Sequence, residues 1–505
     1  MLHAFFRRLV GACDRAGKRH VRTIIATTFV GMVPLLFVCA PRALKRIRLL
    51  SESAADGDYY AAIKKIRNEK EVYGKINRLL YYYDQGLLFH YMGAFDSSTV
   101  YLAETEQIAS ELYTRSISNE AASLLINDNI RPYRGWRYEI MLLHQLIALN
   151  YLAKGLGDEA LVESRKLQLV IDAYRQEDKG KDKYHDNGMV HYLSSIAYDM
   201  VDEIDNRAIS LYKSVSAYHA SPLPLPRLVG DEAHTVLLAT GRDDDIRELG
   251  LGDPDVDSLA ENFNDDESEI ILVGLAGKAP VLGENVAWGT YIVDGLLILH
   301  YRNAEGDMAL MRLPAPPLPE TEEERKARKE GKKPKKVKSG QTIHVKFAYP
   351  SVVSRDAETQ RFSLSIDNLD KRATSEMLTD TDVLLRKELE DNRLKIFTRT
   401  AIRVVLRTIN AQKLKAELAT ESAAANLLIN LGTDALAGQL EKADTRNCFL
   451  LPRTVQIARL TVEPGMHNVT ALALKSNGGE IERKLWKDVE IGPGEKKFLF
   501  YPCLR

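Results

Sequence analysis

Gly57-Asp58-Tyr59-Tyr60-Ala61-Ala62-Ile63 and Gly93-Ala94-Phe95-Asp96-Ser97-Ser98 are two versions of one phrase, and their glycines stand thirty-six positions apart. In each, a glycine opens a turn, an aromatic residue two positions on packs back across it, and a small residue three further on lets two helices approach closely. Tyr59 with Ala62, and Phe95 with Ser98, take those parts. Two degenerate copies follow, at Tyr151 to Leu161 with Gly155 and Ala160, and at Tyr198 to Tyr212 with Ala208. Such a unit cannot bury its apolar face alone. Stacked copies from about Gly57 to Tyr218 therefore predict a superhelix whose concave side holds another polypeptide.

The spacing is close to the tetratricopeptide period. The expected fold class is thus α+β and multidomain: a tetratricopeptide-like α-solenoid over residues 51–220, then a mixed β-rich domain with inserted helices and a terminal antiparallel sandwich-like module. Leu79, Leu80, Tyr83 and Leu87, and Met141, Leu142, Leu146 and Leu149, recur at three- and four-residue steps within the first part. Tyrosine fills a helix interface while presenting a hydroxyl, which makes Tyr91 and Tyr151 the candidate groove residues.

The 505 residues allow two or three domains, and 69 basic against 70 acidic side chains leave no global field to draw nucleic acid. The first fifty residues stand apart. Arg7, Arg8, Arg15, Lys18, Arg19 and Arg22 precede a charge-free run from Thr23 to Cys39, the order of an export signal or short membrane anchor over residues 1–40. Leu36-Phe37-Val38-Cys39 places a leucine three residues before a cysteine, as a bacterial lipoprotein signal does, so Cys39 is the candidate lipidation site. The larger basic count upstream places residues 1–22 in the cytoplasm and the body beyond the membrane.

A linker and acidic segment is expected over residues 221–268. Ser221-Pro222-Leu223-Pro224-Leu225-Pro226 favours an extended spacer, and Asp253, Asp255 and Asp257 alternate as in a calcium loop without its glycine and glutamate. From 269 to 505 the character is β. Ile270 to Leu275, Tyr291 to Val293 and Leu296 to Leu299 read as buried strands, and Ile343 to Phe347 and Phe362 to Ile366 as half-buried ones. A charged insertion occupies 314–340, dense in lysine from Arg325 to Lys338, and its basic half suits anionic lipid or polymer. Two or three helices are expected at about 375–440. One of them sets Arg399, Arg403 and Arg407 four apart, a stripe able to grip phosphate or carboxylate or to lie on an ordinary exposed face. The closing strands run from Thr454 to Val462, Asn468 to Leu474, Trp486 to Ile491 and Lys497 to Phe500. In an oxidising compartment Cys448 and Cys503 would pair; otherwise they are buried free thiols, and spacing leaves both open.

Ala443-Asp444-Thr445-Arg446, Leu450-Leu451-Pro452 and Ile457-Ala458-Arg459-Leu460, before Pro464-Gly465, resemble the C-terminal signature of a group of uncharacterised bacterial envelope lipoproteins. That family begins with a lipoprotein signal and a helical repeat region. The resemblance implies export, a lipid anchor and no assigned catalytic activity, and so a place at the periplasmic face of the cell envelope, as an outer-membrane lipoprotein would have. The closing strands also resemble the small sandwiches of PEGA type on bacterial surface proteins. For catalysis, Ser210 and Lys213 satisfy a Ser-x-x-Lys spacing without its partner motifs, and His185 and His191 do not share a helical face, so no catalytic residue, metal or cofactor is expected. The expected function is a non-catalytic envelope scaffold that binds an envelope protein in its helical groove and meets the membrane through its N-terminal segment. A cell-wall hydrolase or transferase is the alternative.

Overall fold

Asp58 accepts the Ala61 amide through Oδ1 at 3.0 Å and so starts α1 (Tyr59–Asn68), the first helix of the computed structural model. The structure describes residues 50, 54, 57–118, 129, 131–178, 187–252, 267–318, 322–331, 339–366, 371–418 and 442–505. The leader with Cys39, the aspartates 253, 255 and 257, His185 and the second half of the lysine-rich run lie outside these residues. No described helix is long and apolar enough to cross a membrane.

After α1 come three helical hairpins: α2 (Arg78–Tyr91) with α3 (Phe95–Ser118), α4 (Arg137–Leu152) with α5 (Gly157–Glu177), and α6 (Gly188–Asp199) with α7 (Ile204–His219). Gly93 and Gly155 turn the first two in the left-handed region, at φ 74° and 73°, and Asp202 takes that conformation in the third at φ 57°. Aspartate is one of the few side chains that tolerates it, which is why the fourth sequence copy lacks a glycine. All four small residues of the repeat, Ala62, Ser98, Ala160 and Ala208, are buried. The helical layer does not stop at residue 220. α8 (Arg227–Ala239) and α9 (Asp243–Leu249) pack on α7, and Leu223 is buried in the same core, so the proline-leucine stretch is part of the layer instead of a free spacer. Proline supplies its rigid approach to α8, where Pro226 is the N-cap.

Three four-stranded sheets follow among the described residues. The central one has the order β12-β1-β9-β8, with β1 (Ser268–Lys278) parallel to β12 (Lys496–Cys503) and antiparallel to β9 (Pro452–Val462), and β8 (Glu376–Asp380) at its edge. Both faces of β1 are covered. Ile271, Val273 and Leu275 face the helices, and Ile270, Leu272 and Ala276 face a second sheet. Covered faces remove the polar alternation, and the strand reads as a continuous apolar run. That second sheet is β11 (Glu480–Ile491), β10 (Gly465–Leu474), β6 (Arg361–Ile366) and β7 (Arg372–Thr374). A sandwich is therefore present, but it draws strands from β1 and β6 to β8 as well as from the C-terminus, and it contains one parallel pair.

The lateral sheet has the order β4-β3-β2-β5, formed by β2 (Val281–Ile292), β3 (Leu296–Arg302), β4 (Met308–Pro314) and β5 (Thr342–Val353). α10 (Glu322–Lys329) lies in the loop joining β4 to β5. One long helix, α11 (Thr381–Leu418), covers one face, where Phe397 meets the rings of Tyr301, Phe347 and Tyr349 at centroid distances of 5.2, 5.8 and 4.9 Å. The last part of the helical stretch expected at about 375–440, residues 419–441, falls outside the described residues.

Candidate functional site

The inner side of the helical layer is occupied by the protein's own chain. Residues 443 to 451 run along it as a strap, with Ala443, Arg446, Cys448, Phe449, Leu450 and Leu451 buried. The Trp136 indole donates to the Arg446 carbonyl at 3.1 Å, and Arg446 in turn donates to Asn77 Oδ1 at 3.1 Å and to the Arg131 carbonyl at 2.9 Å. Tyr91, expected to face a groove, is buried and donates its hydroxyl to the Leu450 carbonyl at 2.6 Å; it is a core residue. Tyr151 is half-buried at the end of α4.

Beyond the strap, a buried charge cluster joins the helices to the central sheet. Arg459 on β9 donates to Glu269 on β1 and, from Nη1, to the Tyr192 hydroxyl on α6 at 3.0 Å and to Glu232 on α8. Arg207 on α7 bonds Asp199 at 2.6 Å and Glu232 at 2.9 Å, and Lys496 on β12 lies 3.5 Å from Asp199. Three cations meet three carboxylates, which is the condition for keeping charge out of water. Burial alone would raise Glu232, but Arg459 and Arg207 outweigh it and hold the group at about 2. Asp199, where burial prevails over its cations, sits at about 6.

Two further buried carboxyls lie at the N-terminal end of α4, one of them, Glu388, in the shallow cleft between α4 and α11. Glu388 accepts the Arg137 and Tyr138 amides at 2.8 and 3.1 Å, capping α4. Glu139 accepts from the Tyr133 hydroxyl at 2.6 Å, the Trp136 amide at 3.0 Å and the Cys448 amide. Burial pushes both to about 7 against those hydrogen bonds. A carboxyl in that range suits general acid chemistry. Here, however, each is engaged by helix or strap amides, which gives it a structural task. The Ser-x-x-Lys pair is divided, with Ser210 buried and Lys213 exposed, and His191 is buried on α6.

The arginine stripe on α11 is not an exposed face either. Arg403 is buried and donates to Thr400 Oγ1 at 3.2 Å, while Arg399 and Arg407 are half-buried. Ala401, Val404 and Val405 of the same turns pack on the lateral sheet. Cys448 and Cys503 are free buried thiols in two different cores; Cys503 Sγ accepts from Thr359 Oγ1 at 3.2 Å.

The outer face of the lateral sheet differs from all of these. Alternation along each strand sends Ala287, Tyr291, Leu299, Val345 and Phe347 towards α11, and sends the intervening residues outward. One outward rung reads Lys346, Trp288, His300 and Leu310 across the four strands, and the next reads His344, Thr290, Ile298 and Arg312. Arg302 pairs with Met308 beyond the first rung. Trp288 stacks on His300 at 5.9 Å and stays 45% exposed, with Leu310 at 45% and Met308 at 50%. These outward positions carry arginine, lysine and histidine but no carboxylate; Glu284, further along β2, accepts the Ala443 amide at 2.9 Å. Such a face offers apolar and aromatic groups at its centre with cations around them. Its residues escaped notice in the sequence because only Tyr291 to Val293 and Leu296 to Leu299 read as strand there; the signal was Trp288 falling out of phase with Ala287 and Tyr291.

No protein-family model matches the chain, and no curated protein matches it.

Proposed function

We propose that the protein is a non-catalytic, membrane-associated scaffold of the bacterial cell envelope, whose lateral sheet lies with its outer face on an anionic lipid surface. The observation that carries this reading is the exposed rung of Trp288, His300, Leu310 and Lys346, flanked by Arg302, Arg312, His344 and Met308. Tryptophan belongs at the headgroup layer, where one side of the ring meets hydrocarbon and the other meets water. Each lysine or arginine near an anionic membrane surface contributes roughly 1 kcal/mol. The β4 to β5 connection carries Lys326, Arg328 and Lys329 at the end of α10, after Glu322, Glu323 and Glu324 at its start. The basic leader and the charge-free run from Thr23 to Cys39 that follows it would hold this face near a bilayer. In this reading the helices form a tetratricopeptide-like array backed by the strap and central sheet, so a protein partner meets its outward side, near Tyr151.

The test is tryptophan emission from full-length protein in vesicles of brominated lipid. Quenching in phosphatidylglycerol-containing vesicles that disappears in Trp288→Phe is expected. Equal quenching in Trp288→Phe would overturn the assignment.

A further inference from the structure

We propose that Glu106, His144 and Glu163 form a binding site for one first-row divalent cation, of the borderline-soft kind that accepts mixed imidazole and carboxylate ligands. Three helices bring them together: Glu106 from α3, His144 from α4 and Glu163 from α5. One ligand atom of each lies within 4.8 Å of the others, and His144 Nδ1 is 3.2 Å from Glu163 Oε2. Ligands held at about 2.1 Å around a tetrahedral ion stand roughly 3.4 Å apart. His144 and Glu163 already meet that spacing, and the Glu106 side chain, 26% exposed, is free to close the remainder.

An independent observation points to an occupant. Gln145 is 2% exposed and lines the small cavity shared by His144, Glu163 and Ser164. Neither its Oε1 nor its Nε2 has a hydrogen-bond partner among the described residues. An unsatisfied buried amide costs about 1–3 kcal/mol. A water carried in on the ion's open position would sit in this cavity and bond the amide. A cation already compensates the carboxylates: the Lys166 ammonium is 2.8 Å from Glu163 and 3.3 Å from Glu106. Burial alone would raise Glu163, but hydrogen bonds from His144 and Lys166 outweigh it and keep the group below the usual carboxylate range. Lys166 is 42% exposed, so its chain can swing to water and yield its place to a metal. The ion would then pin the first hairpin to the second.

Calorimetric titration of chelator-treated, full-length protein with zinc chloride tests the site, with the cobalt(II) visible spectrum reporting ligand geometry. One equivalent is expected to bind, at least tenfold more tightly in Lys166→Met, which removes the competing ammonium from a half-exposed position. Glu163→Gln is expected to weaken binding at least tenfold. Zinc affinity that is absent in both wild type and Lys166→Met, or no higher in Lys166→Met than in wild type, overturns the proposal whether or not Glu163→Gln folds.

Discussion

The central sheet and the lateral sheet are built from similar strands and treated oppositely by the rest of the chain. The central sheet is covered on both faces, by the helices with their strap and by the second sheet, and its joints are polar: Arg459 in a ring of carboxylates, Tyr91 on Leu450, Tyr218 donating to Leu378 at 2.8 Å. The lateral sheet is covered on one face only, by an apolar and aromatic contact with α11, and its other face is left to solvent with Trp288 on it. Buried polar contacts demand one geometry, because each misplaced group loses both its partner and its water. An apolar face with a cationic surround demands only a complementary surface. The contrast separates the part of the molecule that fixes its shape from the part free to meet something else.

The contrast breaks most severely at Arg459. Arg459→Met takes the shared cation from the largely buried Glu232 and Glu269, leaving Glu232 only Arg207, and a loss of about 3 kcal/mol is expected in urea unfolding. Acidity tests the same closed region. Glu139 and Glu388, raised to about 7, and Asp199, raised to about 6, bind protons more tightly folded than unfolded. Their stabilising contribution is complete below the ordinary carboxylate range and is lost as pH rises through those values. Glu232, held at about 2, contributes above its ordinary value of 4.5 and loses that contribution as pH falls towards 2. Stability should therefore peak near pH 4 and decline from there towards pH 8, by on the order of 3 kcal/mol for each fully shifted group. Glu388→Gln should remove one step of that decline in melting curves taken across pH.

Smaller effects sharpen the comparison. A Cβ at Gly274 on β1 would fall 2.2 Å from the Phe362 ring, so Gly274→Ala should cost about 1–3 kcal/mol by thermal melt. Trp288→Ser, on the open face, should shift stability by no more than about 0.5 kcal/mol while abolishing the bromolipid quenching.

The helical hairpins were legible because their signals are local. Gly93 and Gly155 sit in the turns expected of them, and Ala62, Ser98, Ala160 and Ala208 lie at close helix contacts. Nine strands were legible for a similar reason, since apolar runs bounded by turns need no distant partner. β4, β7 and β8 were missed, the last two being only three and five residues long. What closes the helical hollow was not legible. The strap that meets Tyr91 lies more than three hundred and fifty positions away in sequence, and Arg459 is 227 positions from Glu232. Nothing in a periodic helix says whether its apolar face waits for another protein or for a later part of the same chain. The arginines of α11 misled likewise: spacing four apart indicates a shared stripe and leaves its exposure undecided.

The central claim is that contact is made by the open lateral sheet and that the filled helical hollow takes no part. Hydrogen exchange of full-length protein in anionic against zwitterionic bilayers tests it most directly. Slowed exchange of amides in residues 286–314 in the anionic bilayer, with those of 78–91 and 443–451 unchanged, is the predicted result. Slowing confined to the helices and strap, with the lateral sheet unaffected, would contradict it.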